Sequence, residues 1–210
     1  MKHGTSSPLR IEQHRALAGL VLDGEVLDIG GSRKSAYTGF LGGRHRITFA
    51  NIDPAYGADL IFDAQAPWPV EAAAWDAVLM NNLLEHLFDY EAALAEAHRA
   101  LKPGGRLVLT VPFLFRLHAA PSDYFRFTRF ALERILERRG FEAVAVRELG
   151  SGAFLAMYQP LATLIRPAFL SEAGRRMAVG LDRLMDRLKP GGVLSAGNFP
   201  LGYLVEARRP

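Results

Sequence analysis

Three carboxylates stand at comparable places in the first third of the chain. Asp28 lies inside the apolar run Val26-Leu-Asp-Ile29, Asp53 closes Arg46–Asp53, and Asp63 closes Asp59–Asp63. An acid within an apolar strand is costly without a partner, so Asp28 reads as functional. Gly30 and Gly31 follow it, where the absence of a side chain permits φ > 0 and close approach of a ligand to backbone. A second chemical grouping lies downstream in Phe113–Thr128, which holds Arg116, His118, Asp123, Tyr124 and Arg126. His118 is the expected general base, with Asp123 and Tyr124 as catalytic companions. Arg116, His118 and Tyr124 are expected to orient a substrate. Asp123 and Arg126 carry a competing reading, ranked ahead, as an ion pair that staples this loop to the following helix.

A glycine turn after a first strand, with an acid after a second, suits two cofactors. A nicotinamide dinucleotide needs G-x-G-x-x-G, so that its pyrophosphate meets backbone N–H groups at a helix start. Here the run is Gly30-Gly-Ser-Arg-Lys-Ser35, and the second and third glycines are missing. S-adenosylmethionine carries no phosphate but presents a sulfonium, an amino-acid end and a ribose. Asp28, Gly30, Gly31 and a ribose-accepting Asp53 meet those demands better. Asp63 is placed to accept from the adenine amine, and it also suits a turn cap.

The elements that must hold these residues alternate. A helix over Leu9–Leu20 precedes a strand at 25–30. A short helix spans Arg33–Leu41, and strands follow at Arg46–Asp53, Asp59–Asp63 and Trp75–Asn82. Asp89 is the expected N-cap of a helix through Leu101, which Lys102-Pro-Gly-Gly105 stops before a strand at Arg106–Pro112. Thr128 caps a helix with Leu132, Ile135 and Leu136 on its apolar face, ended by Gly140. Strands at Phe141–Leu149 and Gly202–Arg208 complete the series. Buried strands alternating with helices predict an α/β, doubly wound parallel sheet. The segment 153–198 breaks the rhythm as a helical insertion before the last strand. Within it Met177, Leu181, Leu184, Met185 and Leu188 form an apolar stripe apart from Arg175, Arg176, Arg183 and Arg187. The insertion is expected to cap the pocket with Phe154, Met157 and the substrate-binding Tyr158, or else to meet a second copy or a membrane surface.

Val-Leu-Asp28-Ile-Gly30-Gly31, Asn51-Ile-Asp53-Pro54, Phe62-Asp63-Ala64, Trp75–His86 and Ala95–Pro112 resemble, in order, the motifs of class I S-adenosylmethionine-dependent methyltransferases of the type 11-like kind. The resemblance covers roughly residues 24–149 with the last strand added. It implies a Rossmann-like seven-stranded sheet ordered 3-2-1-4-5-7-6, with the seventh strand antiparallel. It further implies cofactor contacts from Asp28, Gly30, Gly31, Ser32, Asp53, Pro54, Asp63, Ala64, Asn81, Asn82 and His86. Ser32 departs from the family pattern, which has glycine there; its hydroxyl is expected to reach the cofactor's carboxylate. His118…Pro121-x-Asp123-Tyr124-x-Arg126-x-Thr128 resembles a stretch of those members that act in polysaccharide and small-molecule biosynthesis.

The whole chain sets outer bounds. Its 210 residues, half of them hydrophobic and 22% charged, suit one globular domain over 1–210, which the resemblance implies is a methyltransferase domain. A net charge of +3 gives no basic field that would call for nucleic acid. With no cysteine, disulfides and thiolate metal sites are excluded, and a cytoplasmic setting is expected. No signal peptide or transmembrane segment is expected, and weak membrane-surface contact or a homodimer stays open. No metal is implied, since His3, His14 and His45 form no grouping with acids. The expected function is methyl transfer from S-adenosylmethionine to a small-molecule or sugar-like acceptor, at oxygen. The alternatives are a non-catalytic methyltransferase-like scaffold, a methyltransferase acting on nitrogen or a macromolecule, or a nicotinamide enzyme.

Overall fold

A computed structural model describes residues 6–119 and 121–210. Val26 and Leu27 are both fully buried although they point to opposite sides, which requires a sheet covered on both faces. That strand, β1 (Gly24–Ile29), is the third of a seven-stranded sheet formed with β2 (His45–Asn51), β3 (Leu60–Ile61), β4 (Trp75–Asn81), β5 (Leu101–Pro112), β6 (Glu142–Leu149) and β7 (Gly202–Arg208). The order is β3-β2-β1-β4-β5-β7-β6, as the resemblance implies. β1 runs parallel to β2 and β4, with Asp28 opposite Phe49 and Leu79. β7 is antiparallel to β5 and to β6.

Each face has its own core. Leu27, Ile29, Val78, Met80 and Leu109 pack against α2 (Tyr90–Ala100) and α3 (Arg129–Arg138). Val26, Leu79, Val108 and Leu204 pack against α1 (Pro8–Leu17), α4 (Ala153–Leu161) and α5 (Ala168–Leu188). Asp28 shares the second face with Val26 by the alternation of the strand. The helix starts are set by side-chain caps. Ser7 accepts from Arg10 N–H, Asp89 from Ala92 N–H and Thr128 from Ala131 N–H, at 3.3, 3.0 and 3.2 Å.

Several boundaries differ from the sequence expectation. α1 ends at Leu17 rather than Leu20, and Arg33–Leu41 forms only a single 3-10 turn over Ala36–Phe40. β5 starts at Leu101, which pairs with Trp75, while Arg106 pairs with Ala77, so Lys102–Gly105 bulge out between them. β3 keeps just two residues.

The insertion differs more. α4 and α5 lie over the α1 face, and α5 buries its polar side. Ser171, Arg175, Ala178 and Asp182 face inward, whereas Met177, Leu181, Leu184 and Leu188 are exposed. Two networks explain this orientation. Arg175 pairs with Glu172 at 2.7 Å and with Glu12 of α1 at 3.7 Å. Asp182 accepts from Ser151 Oγ, Phe154 N–H and Leu155 N–H at 2.7, 2.9 and 3.0 Å. It therefore caps α4, whose own N-cap position is Gly152, and places a negative charge at the positive end of that helix. Among the described residues no helix is long and apolar enough to cross a membrane.

Candidate functional site

A cavity of about 520 Å³ opens at the carboxyl ends of β1, β2 and β4, a size ordinary for a small-ligand site. Gly30, Asp53, Asp63, Ala64, Asn82, His86 and Tyr124 line it, so the fold brings these sequence-selected residues together. Gly30 ends β1 at φ +81, a conformation that side chains disfavour, and a Cβ there would meet Leu83 Cδ1 at 3.1 Å. Asn51 Nδ2–H donates to the carbonyls of Gly30 and Gly31 at 3.1 and 3.2 Å, fixing the glycine turn to the end of β2. Asp53 Oδ1 accepts from Ala55 N–H at 2.8 Å, and Asp63 Oδ1 from Gln65 N–H at 2.9 Å. Each acid thus caps its own turn with Oδ1.

Asn82 takes φ +50, which asparagine tolerates better than most residues. Gln13 of α1 holds it by two exchanged amide bonds: Asn82 Nδ2 donates to Gln13 Oε1 at 3.1 Å, and Gln13 Nε2 donates to Asn82 Oδ1 at 2.5 Å. Gln13, Asn51 and Gln65 did not stand out in the sequence. A glutamine on the buried side of an otherwise polar helix was the one available signal for Gln13.

Other selected residues lie elsewhere. Asp28 is fully buried behind the cavity wall, where its Oδ2 accepts from Tyr37 Oη–H at 2.7 Å and its Oδ1 has no partner. Burial pushes this carboxyl up to about 7, while the tyrosine bond pulls the other way. Gly31 and Ser32 belong to the same buried turn, and a Cβ on Gly31 would fall 2.2 Å from Asp28 Oδ2. Ser32 Oγ accepts from Lys34 N–H at 3.2 Å, which engages it in the turn. Pro54 starts a 3-10 turn and does not line the cavity. Asn81 is corrected: its Oδ1 accepts from Thr110 Oγ1, within the sheet rather than at the cavity. Tyr158 is corrected as well. It is buried on α4, donating to Ser171 O at 2.7 Å, and neither it nor the exposed Met157 covers this cavity. Arg116 lines a separate groove between the loop after β5 and α4.

The loop after β5 returns to the cavity through Tyr124 N–H, which donates to Glu85 O at 2.8 Å. Asp123 is corrected from a catalytic companion to the staple that competed with that reading. Arg126 grips it with two bonds of 2.6 and 2.7 Å, and His118 N–H adds a third at 2.9 Å. The Arg126 guanidinium holds this carboxyl well below the usual carboxylate range, and its side chain is only 4% exposed. His118 is drawn below the ordinary histidine range, chiefly by burial.

Beside the cavity three further groups converge. His86 Nε2 lies 3.7 Å from Glu85 Oε1, and His118 Nε2 lies 3.9 Å from the same oxygen. The two imidazoles meet edge to face at 5.0 Å between centroids. His86 Nδ1 is 2.5 Å from Ser122 O; a carbonyl only accepts, so Nδ1 carries the hydrogen and a neutral ring leaves Nε2 bare. Glu85 is fully buried, and burial pushes it up to about 8. Sequence reading placed His86 and His118 in separate roles, and only the return of the loop joins them.

Over residues 2–146 the chain matches the methyltransferase-domain family, and it belongs to that family. Its sheet order is that of the class I S-adenosylmethionine-dependent methyltransferases. It is 30% identical over 131 residues to an uncharacterized 37.1 kDa protein in transposon TN4556 of Streptomyces fradiae, which covers 61% of this chain and 37% of that protein. This chain therefore spans little more than a third of that relative. Phosphoethanolamine N-methyltransferase 2 of Haemonchus contortus, solved with phosphomonomethylethanolamine and S-adenosylhomocysteine, superposes with a TM-score of 0.58 at 16% identity, over 94% of this chain and 52% of that one. A possible histamine N-methyltransferase of Thermotoga maritima gives a TM-score of 0.61 at 14% identity, over 95% and 89% of the two chains. At such identities the likeness speaks to the fold.

Proposed function

We propose that this chain binds S-adenosylmethionine in the cavity at the ends of β1, β2 and β4 and transfers its methyl group to a hydroxyl of a small-molecule or sugar-like acceptor. The observation that carries the reading is the cavity wall itself, where Gly30, Asp53 and Asp63 converge from three successive strand ends. The residues suit the cofactor. Gly30 leaves backbone open where a Cβ would press on Leu83, and the unpartnered Oδ1 of Asp28 sits directly behind the turn. Asp53 offers its second carboxylate oxygen to the ribose hydroxyls, and Asp63 with Ala64 frames the adenine. Asn82 and His86 close the side of the cavity facing the acceptor. Bound S-adenosylmethionine supplies an electrophilic methyl on its sulfonium. The protein's task is then to align acceptor and donor, worth up to ~7–11 kcal/mol when the geometry is right.

A hydroxyl becomes a good nucleophile only as its proton departs. In the transfer the C–S bond breaks as the O–C bond forms, and the hydroxyl proton leaves. His86 lines the cavity and joins it to Glu85 and His118 behind it, a group able to assist that deprotonation, which favours oxygen over nitrogen as the accepting atom. Tyr124, half exposed at the rim and edge to face with Phe88 at 5.4 Å, orients the acceptor. Incubation with methyl-labelled S-adenosylmethionine and a pool of hydroxylated small molecules is expected to place label in low-molecular-mass methyl ethers. Label found instead in amines, protein or nucleic acid would overturn the acceptor assignment.

A further inference from the structure

We infer that Glu85, His86 and His118 form a binding site for one divalent first-row transition-metal ion. This inference rests on the proposed acceptor site but not on the cofactor assignment. One candidate ligand atom from each residue lies within 4.8 Å of the others. Ligand atoms about 2.1 Å from a tetrahedral ion stand roughly 3.4 Å apart; the two separations from Glu85 Oε1, 3.7 and 3.9 Å, are close to this, and the third, between the imidazoles, is within 4.8 Å and would close on binding.

Both oxygens of Glu85 are buried without a hydrogen-bond partner, and the residue is 0% exposed. A carboxylate so placed is costly by several kcal/mol unless its charge is neutralised, and a bound cation would supply that neutralisation. Among the described residues no arginine or lysine bonds to Glu85. Arg126, whose charge Glu85 feels, spends its donors on Asp123, Phe125 O and Arg116 O.

The two imidazoles are arranged as ligands on their outer sides too. His86 Nδ1 donates to Ser122 O, whereas His118 Nδ1 lies 3.2 Å from Asp123 Oδ2 without a hydrogen bond to it. A carbonyl or carboxylate behind the far ring nitrogen is the usual support of a metal-bound histidine, because it fixes ring orientation and tautomer. Asp123, held by Arg126, positions His118 through the bond it accepts from His118 N–H at 2.9 Å.

The donor set decides the class of ion. Two neutral imidazoles and one carboxylate suit zinc, ferrous or cobaltous ions, whereas magnesium and calcium prefer all-oxygen shells. Three protein ligands leave coordination positions open, the pattern of catalytic rather than structural sites. An acceptor hydroxyl bound there would be acidified by the ion, releasing its proton to water, and the histidines would act as ligands rather than as bases.

The test uses the full chain, stripped with chelator and titrated calorimetrically with Zn²⁺, and with Co²⁺ followed by visible absorption. The expected result is one ion per chain, with visible cobalt bands. His118→Ala and His86→Ala should weaken Zn²⁺ binding at least tenfold while circular dichroism shows the fold intact. His118→Ala is the safer variant, since that side chain is partly exposed at 27%. Absence of Zn²⁺ binding at millimolar ion, or affinity unchanged from the parent in both variants, would overturn the inference. S-adenosylhomocysteine is titrated in parallel. Its binding without Zn²⁺ binding would defeat the metal site alone, and Zn²⁺ binding without it would defeat the cofactor reading alone.

Discussion

Asp28 shows how burial and partner choice decide the state of one residue. In the folded chain its carboxyl is pushed up to about 7, from the ordinary aspartate value of 3.8, because burial penalises the charged form. Between roughly pH 4 and pH 7 the folded state therefore holds a proton that the unfolded chain has released. Stability contributed by this group falls as pH rises through that window, by at most ~1.4 kcal/mol per unit, and is level above it. Asp28→Asn removes the titration. The difference in melting temperature between variant and parent should grow in the variant's favour from pH 4 to pH 7, and parallel curves would count against this account. Asp28 was legible in the sequence as an acid in an apolar strand, and so was the stapling pair Asp123–Arg126. Tyr37, its hydrogen-bond donor, was not, because nothing in a linear reading places residue 37 over residue 28. The Glu85–His86–His118 group was hidden for the same reason: its members lie on two loops that only the tertiary fold closes.

At the scale of elements, α5 is the segment where pattern and packing disagree. Its leucines and methionines repeat with helical spacing, and such a stripe ordinarily marks the buried face. Here the opposite face is buried, because Arg175 is paired to Glu172 and Glu12 and Asp182 caps α4. The two faces should answer differently to substitution. Asp182→Ala removes three hydrogen bonds and should cost about 1–3 kcal/mol, read by chemical denaturation. Leu184→Gln, at a position 51% exposed, should stay within about 0.5 kcal/mol. The reverse ranking would mean that α5 is turned the other way. The regular helices around the sheet were easier to read. Asp89 and Thr128 announced α2 and α3, since a side-chain cap is a local signal that tertiary context rarely overrides. The 3-10 turn at Ala36–Phe40 and the bulge at Lys102–Gly105 lacked such a signal.

Across the whole molecule, the sheet order follows from the alternation of buried strands and helices together with the ordered motifs between Asp28 and Pro112. Parallel strands joined by right-handed crossovers leave a crevice at their carboxyl ends, and that places Gly30, Asp53, Asp63 and Asn82 around one cavity. The groove beside α4 was not legible, since the insertion settled on the α1 face instead of over the cavity. What the fold does not specify is the ligand, because one architecture serves many chemistries and the site must carry the assignment. The central claim is that the cavity is an S-adenosylmethionine site with Asp53 on the ribose, and calorimetric titration with S-adenosylhomocysteine tests it most directly. One molecule should bind per chain, and Asp53→Ala should weaken binding about 10- to 100-fold, as expected for loss of hydrogen bonds to a charged acceptor. A folded protein that takes up no S-adenosylhomocysteine at millimolar concentration, or an Asp53→Ala variant that binds it as well as the parent, would contradict the claim.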